Sequence, residues 1–195
     1  MEKEFHTGQC FSVTPYGQVH YYKVLCAEKG QATLVAYVSI YSDGIYVGEG
    51  ANISISDNAV EIAASKFDCI FQEVKTKLLP IVECYTSFPV RLIDDTTQYI
   101  DNVPFHPKGQ CFVKTGEGCV YFGKSKNPFE YNQITVEEIY VCSKPDCIGL
   151  YLFPSTRIDP TKGYNEIDRK DFTQLKRYTT NFTKPTMWAI KREFM

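Results

Sequence analysis

The sequence holds no G-x-x-x-x-G-K-[ST] and no G-x-G-x-x-G, so neither common glycine-rich phosphate cradle is present. H-E-x-x-H, G-x-S-x-G and D-x-D-x-D-G are also missing, which removes the zinc-peptidase, serine-hydrolase and calcium-loop signatures. No stretch approaches the roughly 18 apolar residues of a membrane-spanning helix. The opening Met1-Glu2-Lys3-Glu4-Phe5 has no apolar core of signal-peptide length, so the expectation is a soluble, cytoplasmic protein. Net charge is only −2, too small to mark a general polyanion binder. Carboxylate pairs do not converge either: Asp94-Asp95 reads as a turn, and Glu137-Glu138 lies on a strand, where neighbours point to opposite faces.

Aromatic residues are abundant, at 14% of 195 residues with 14 Tyr and 13 Phe, and they favour pleated, half-buried surfaces. Eight cysteines (10, 26, 69, 84, 111, 119, 142 and 147) read as mostly reduced and partly buried, because nothing suggests export. Charge is uneven. Residues 1–98 carry 7 Lys and Arg against 12 Asp and Glu, whereas residues 99–195 carry 14 against 11.

The strongest signal is internal similarity. Phe5-His6-Thr7-Gly8-Gln9-Cys10-Phe11 recurs as Phe105-His106-Pro107-Lys108-Gly109-Gln110-Cys111-Phe112. Thr14, Gly17, Val19, Tyr21 and Lys23 then match Thr115, Gly118, Val120, Phe122 and Lys124 at a constant offset of 101. Gly44-Ile45-Tyr46-Val47 resembles Gly149-Leu150-Tyr151-Leu152, and Glu61, Ile62, Phe67 and Ile70 match Glu166, Ile167, Phe172 and Leu175, now at 105. The pattern points to tandem duplication, with about four residues inserted in the loop-rich stretch around 125–132.

Both copies read as the same elements. In the first these are Gln9–Val13, a Thr14-Pro15-Tyr16-Gly17 turn, Val19–Leu25, Ala32–Tyr41, a Ser42-Asp43-Gly44 hairpin and Ile45–Val47. Phe67, Ile70, Phe71, Val74 and Leu78 share a helical face, with Ser65 as a cap, a possible earlier start near Asp57, and Pro80 as the end. In the second copy Asp168-x-x-Asp171 caps a helix carrying Phe172, Leu175 and Tyr178, and Thr179-Thr180-Asn181 should end it; Trp188-Ala189-Ile190 then reads as a last strand or docking segment. The expected fold is α+β: two tandem β-rich modules of four to five antiparallel strands, by fold-level analogy SH3-like or OB-like barrels, each followed by one helix. The division is 1–80, a connector at 81–104, and 105–195, with the two repeats able to pack as an intramolecular pseudo-dimer.

The residues suggest a non-enzymatic binding protein, a protein partner being favoured and no cofactor expected. Nucleic acid is the alternative, through a basic segment of Lys176, Arg177, Lys184, Lys191 and Arg192 that would also suit an acidic partner. His20, Tyr22 and Tyr121 lie on the strand face opposite Val19, Tyr21, Val120 and Phe122, and form a candidate binding face. A third reading pairs a cysteine nucleophile with a histidine base, as Cys10 with His6 or Cys111 with His106. Cys142-x4-Cys147 across a hairpin is a candidate pair for structural zinc, with Cys111 and Cys119 able to complete four ligands.

Overall fold

The computed structural model describes residues 4–93, 98–100, 103–105, 109–127 and 133–195. In chain order the elements are β1 (Cys10–Val13), β2 (Val19–Glu28), β3 (Gln31–Ile40), β4 (Gly44–Ala51), β5 (Val60–Ile62) and α1 (Ala64–Thr86). A small hairpin follows, of β6 (Gln98–Ile100) and β7 (Val103–Phe105). Then come β8 (Cys111–Gly116), β9 (Cys119–Ser125), β10 (Ile134–Lys144), β11 (Cys147–Ile158) and β12 (Asn165–Ile167). The chain continues through α2 (Arg169–Tyr178), a π-turn at Thr179–Thr183 and α3 (Lys184–Phe194). Among the described residues, no helix is long and apolar enough to cross a membrane.

Ten strands form one antiparallel sheet in the order β12-β8-β9-β10-β11-β4-β3-β2-β1-β5. The sheet is open, and the expected small barrels do not form. Each half instead offers its fourth long strand to the other, and β4 pairs with β11 from Gly44 opposite Tyr151 to Gly48 opposite Cys147. Within this pairing Ile45 faces Leu150, the very residue it matches in sequence.

Registers locate the length difference between the halves. Val24 stands opposite Val35 and Ser125 opposite Val136, so the β2–β3 and β9–β10 connections are equally long. Ile40 then pairs with Ile45, but Val141 with Leu150. The four extra residues therefore lie in the β10–β11 hairpin and not at 125–132. Each strand of the second hairpin is two residues longer than its first-half counterpart, with pairing kept on both sides of a tight turn at Pro145-Asp146.

Helices α1, α2 and α3 cover one sheet face. Val19, Tyr21, Val38, Ile40, Val120, Phe122, Ile139 and Val141 bury against Phe67, Ile70, Val74, Leu78, Phe172, Leu175, Met187 and Ile190. Each helix crosses to the other half. Tyr85 of α1 reaches Phe122 of β9, with ring centroids 6.5 Å apart, while the Tyr21 hydroxyl on β2 donates to the Phe194 carbonyl at 2.6 Å.

The helix boundaries differ from expectation in four places. Residues 60–62 form an edge strand against β1, so no helix starts near Asp57. Ala63 occupies the N-cap position without a side-chain hydrogen bond, and Ser65 lies inside the helix. Pro80 does not end α1, because Ile81, Val82 and Tyr85 extend the buried stripe beyond it and tertiary packing outweighs the lost bond. Helix α1 therefore runs past the expected boundary at residue 80. Asp168 does cap α2, accepting from the Lys170 amide at 2.8 Å. The helix nonetheless continues through Thr179-Thr180-Asn181, and Trp188-Ala189-Ile190 is helical rather than a strand. The Tyr85 hydroxyl holds this π-turn, bonded to the side chains of Thr179 at 2.6 Å and Thr183 at 2.9 Å.

Candidate functional site

The face of the sheet away from the helices carries a continuous row of rings. Period-two alternation places them there: residues one step from each core position point outward. From β2 to β9 the row runs Tyr22, His20, Tyr41, Tyr151, Tyr46, Tyr140 and Tyr121, with centroid separations of 6.1, 5.2, 5.4, 4.9, 6.4 and 4.5 Å. Phe153 stacks on Tyr151 at 4.9 Å. His20 and Tyr22 are buried at one end, and Tyr41, Tyr46, Tyr121, Tyr140, Tyr151 and Phe153 are half-buried. The row thus contains all three residues singled out for the candidate face, His20, Tyr22 and Tyr121.

The centre of the row lies on glycine. Tyr46 covers Gly149 and Tyr151 covers Gly44, each ring in the space a side chain on the opposing glycine would fill. Two small clusters flank the row. On one side Phe11, Val13, Val24, Val35, Ile55 and Ala59 pack together; on the other, Phe112, Ile134, Val136 and Ile158 pack with Tyr164. Burial pushes the hydroxyls of Tyr46, Tyr140 and Tyr151 up from their ordinary acidity, so they stay neutral. His20 is shifted the other way by burial and shares a 3.0 Å hydrogen bond with Ser39.

Two charged groups belong to the second-half end of this face. Lys114 is paired with Tyr121 across β8–β9, and its ammonium stands 5.3 Å from the Tyr164 ring centre. Glu138 on β10 is only 7% exposed, and among the described residues its carboxyl has no hydrogen-bond or ion-pair partner.

A cavity of about 330 Å³ opens on the helix side, round the turn that follows Tyr41. Ile139, Leu152, Met187 and Trp188 supply apolar wall; Lys176, Lys184 and Lys191 supply charge. Lys176 is ion-paired with Glu137, and the Lys191 ammonium donates to the Ser42 carbonyl. Burial lowers the proton affinity of both lysines. The structure thus brings three of the five basic residues together. Arg177 and Arg192 are exposed outside the cavity, Arg192 lying 5.3 Å from the Trp188 ring centre.

The cysteine readings meet different surroundings. Cys10 and Cys111 are buried on the helix side, their thiols directed at the Gly8 and Gly109 carbonyls at 3.6 and 3.5 Å. Burial raises both thiols, Cys111 to about 11, which opposes thiolate formation. Among the described residues no hydrogen bond joins His6 to Cys10, and His106 lies outside them. Cys119 and Cys142 face each other across β9–β10 with sulfurs 3.7 Å apart; Cys142 directs its thiol at the Cys147 carbonyl, and Cys147 accepts from the Tyr37 hydroxyl. Cys111 is on the opposite sheet face from Cys119, so it cannot complete that group. Among the described residues no three His, Cys, Asp or Glu side chains converge as metal ligands.

Sequence reasoning missed Tyr41, Tyr46, Tyr140, Tyr151, Phe153, Lys114 and Glu138. Alternation from the core positions of β4, β10 and β11 would have found most of them. Neither a family model, nor a curated protein, nor a solved structure matches the chain.

Proposed function

We propose that this chain is a non-enzymatic binding protein that takes single-stranded nucleic acid on the open face of its sheet. The row of rings from Tyr22 to Tyr121 carries the reading. Unpaired bases expose flat π-faces, and half-buried rings held rigidly on a sheet stack with them at low entropic cost. Lys114 stands at one end for a phosphate, and the lysine cavity lies round the Tyr41–Asp43 turn from the middle of the row. This uses the basic segment in part, through Lys176, Lys184 and Lys191. With so few cations at the face, affinity falls only moderately with salt.

In the same reading the protein is a duplicated β-rich module fused into an intramolecular pseudo-dimer. The mirrored strand order supports it, as do the pairing of Ile45 with Leu150 and the start of α1 and α2 at residues 64 and 169, the sequence offset of 105.

Fluorescence anisotropy of labelled oligo(dT) over a salt series tests the binding. Tyr46→Ala with Tyr151→Ala weakens it about tenfold or more, from the loss of one or two stacked bases. Lys114→Ala lowers the salt slope by about one. Unchanged affinity in the double tyrosine variant refutes the reading.

A protein partner is the second reading, carried by Trp188. Its side chain is 61% exposed beside Arg192, and Phe182 of the π-turn is 60% exposed. Tryptophan and arginine are frequent interface anchors. A partner captured after nuclease treatment, and lost with Trp188→Ala, supports it; capture that disappears with nuclease does not.

A further inference from the structure

Three thiols lie at one margin of the open face, and two of them stand directly opposite each other. Alternation from Tyr121 and Tyr140 puts Cys119 and Cys142 on the same side of the sheet as the rings. They are paired across β9 and β10 with sulfurs 3.7 Å apart. Cys147 on β11 is a diagonal neighbour, since it pairs with Lys144 while Cys142 pairs with Gly149.

The backbone at this pair suits a covalent link. One step outward, the Ser143 amide donates to the Gly118 carbonyl at 2.6 Å. Bonded and non-bonded pairs alternate along an antiparallel ladder, so Cys119 and Cys142 form a non-bonded pair, where α-carbons stand about 4.5 Å apart. That spacing falls within the disulfide range of about 4.4–6.8 Å. Side-chain rotation can therefore bring the sulfurs to a bond length of about 2.05 Å with the ladder kept.

The corresponding pair in the first half is Gln18 and Tyr41, which flank Val19 and Ile40 as the two cysteines flank Val120 and Val141. The shared fold thus does not need thiols here. Among the described residues no other two cysteines are in hydrogen-bond contact. Cys142 is 4% exposed, whereas Cys119 is half-buried and open to a small solute. Burial, and after it the neighbouring thiols, push the Cys142 thiol up to about 12, so Cys119 is the sulfur that reacts first.

We infer that Cys119 and Cys142 are an oxidisable pair that takes hydrogen peroxide and closes to a reversible disulfide. The Cys119 thiol gives up its proton and the thiolate attacks one peroxide oxygen. The S–O bond forms, the O–O bond breaks, and the departing hydroxide takes up that proton as water. Cys142 then attacks the sulfenic sulfur; the S–S bond forms, the S–O bond breaks, and the oxygen leaves as water with the Cys142 proton. Two thiols lose two electrons, and the peroxide is reduced to two waters. The Tyr140 hydroxyl, 3.2 Å from the Cys119 sulfur, is left beside a sulfur with no proton to give. This chemistry is independent of what the rings bind.

The test treats the intact protein with hydrogen peroxide, counts thiols by alkylation and maps peptides by mass spectrometry without reduction. The expected result is loss of two of the eight thiols, one linked peptide pair holding Cys119 and Cys142, and full recovery with dithiothreitol. Cys142→Ser stops the reaction at the sulfenic acid, so dimedone labels Cys119 in that variant and several-fold less in the parent. Cys147→Ser leaves the linkage in place. In urea the unfolded chain gives mixed linkages, because Cys142 and Cys147 or Cys111 and Cys119 are nearer in sequence. A main product that joins Cys147 to either cysteine overturns the inference. So does oxidation confined to the exposed Cys69, or a Cys119–Cys142 link that forms equally well in urea. The parent protein alone decides the linkage, whatever the stability of the variants.

Discussion

Tyr46 and Gly149 face each other across β4 and β11, and the tyrosine ring lies where any side chain on the glycine would have to go. The arrangement is reciprocal, since Tyr151 covers Gly44 in the same way. The glycines are therefore fixed by the rings, not by backbone conformation. Gly149→Ala must lift Tyr46 from the sheet. The expected loss is about 1–3 kcal/mol of stability, as in overpacked cores, together with weaker oligonucleotide binding. Thermal and urea unfolding measure the first effect and anisotropy the second. A variant as stable as the parent would show that the ring moves freely.

Tyr85 links α1 to the π-turn through two threonine hydroxyls. Tyr85→Phe keeps the ring and strips Thr183 of its only side-chain partner among the described residues, at a cost of about 1–3 kcal/mol. In a Thr183→Val background the same change should cost less, because the stranded hydroxyl is already gone. Urea unfolding of the double-mutant cycle reads the coupling; additive losses would detach the tyrosine from the turn.

Glu138 gives stability a particular pH dependence. Burial raises its folded pKa above the ordinary 4.5. As pH rises past 4.5 the unfolded chain releases this proton first, so the contribution of Glu138 to stability declines until the folded pKa is passed and then levels off. Glu138→Gln removes that decline. The variant should be more stable than the parent at neutral pH, with the gap closing as pH falls towards 4.5. Melting curves across this range decide it, and a constant gap would contradict the assignment.

His20 acts at higher pH and with the opposite slope. Its folded pKa lies below the ordinary 6.5 because the ring is 92% buried beside Tyr22, Ser39 and Tyr41. As pH falls through 6.5 the unfolded chain takes up a proton that the folded chain resists, and stability drops. His20→Gln should flatten this part of the profile in melting experiments. A melting temperature of the parent that is level from about pH 7.5 to pH 5.5 would refute it.

Much of this fold was legible in local patterns, and the failures have physical causes. Strands β1 to β4 and β8 to β11 followed from alternation and turn residues, because each has one face on the helix-side core. The inward and outward sides of β2 and β9 were equally plain, so His20, Tyr22 and Tyr121 fell on one surface as expected. Local signals failed where distant contacts override them. Pro80 and Thr179-Thr180-Asn181 are poor helix residues, but Tyr85 and the buried stripe hold both segments helical. The pairing of β4 with β11 left no mark on either strand alone. It decided sheet against barrel, and it brought Tyr46 and Tyr151 together. The basic segment was visible as a count of charges; its division between a cavity and the exposed Arg177 and Arg192 needed the helix phase across the π-turn.

The crossing of the helices governs how the chain can be made. Tyr21 finds its acceptor on residue 194, and Tyr85 finds its ring partner on residue 122. A nascent chain that has emerged only as far as α1 holds five strands and a helix whose far end has nothing to lie on. Part of its apolar face lies on β1 to β4, and the rest is covered only by β9 to β11, while the Tyr21 hydroxyl on β2 finds its acceptor only with α3. Any truncation before residue 194 therefore removes a contact of the first half as well as of the second.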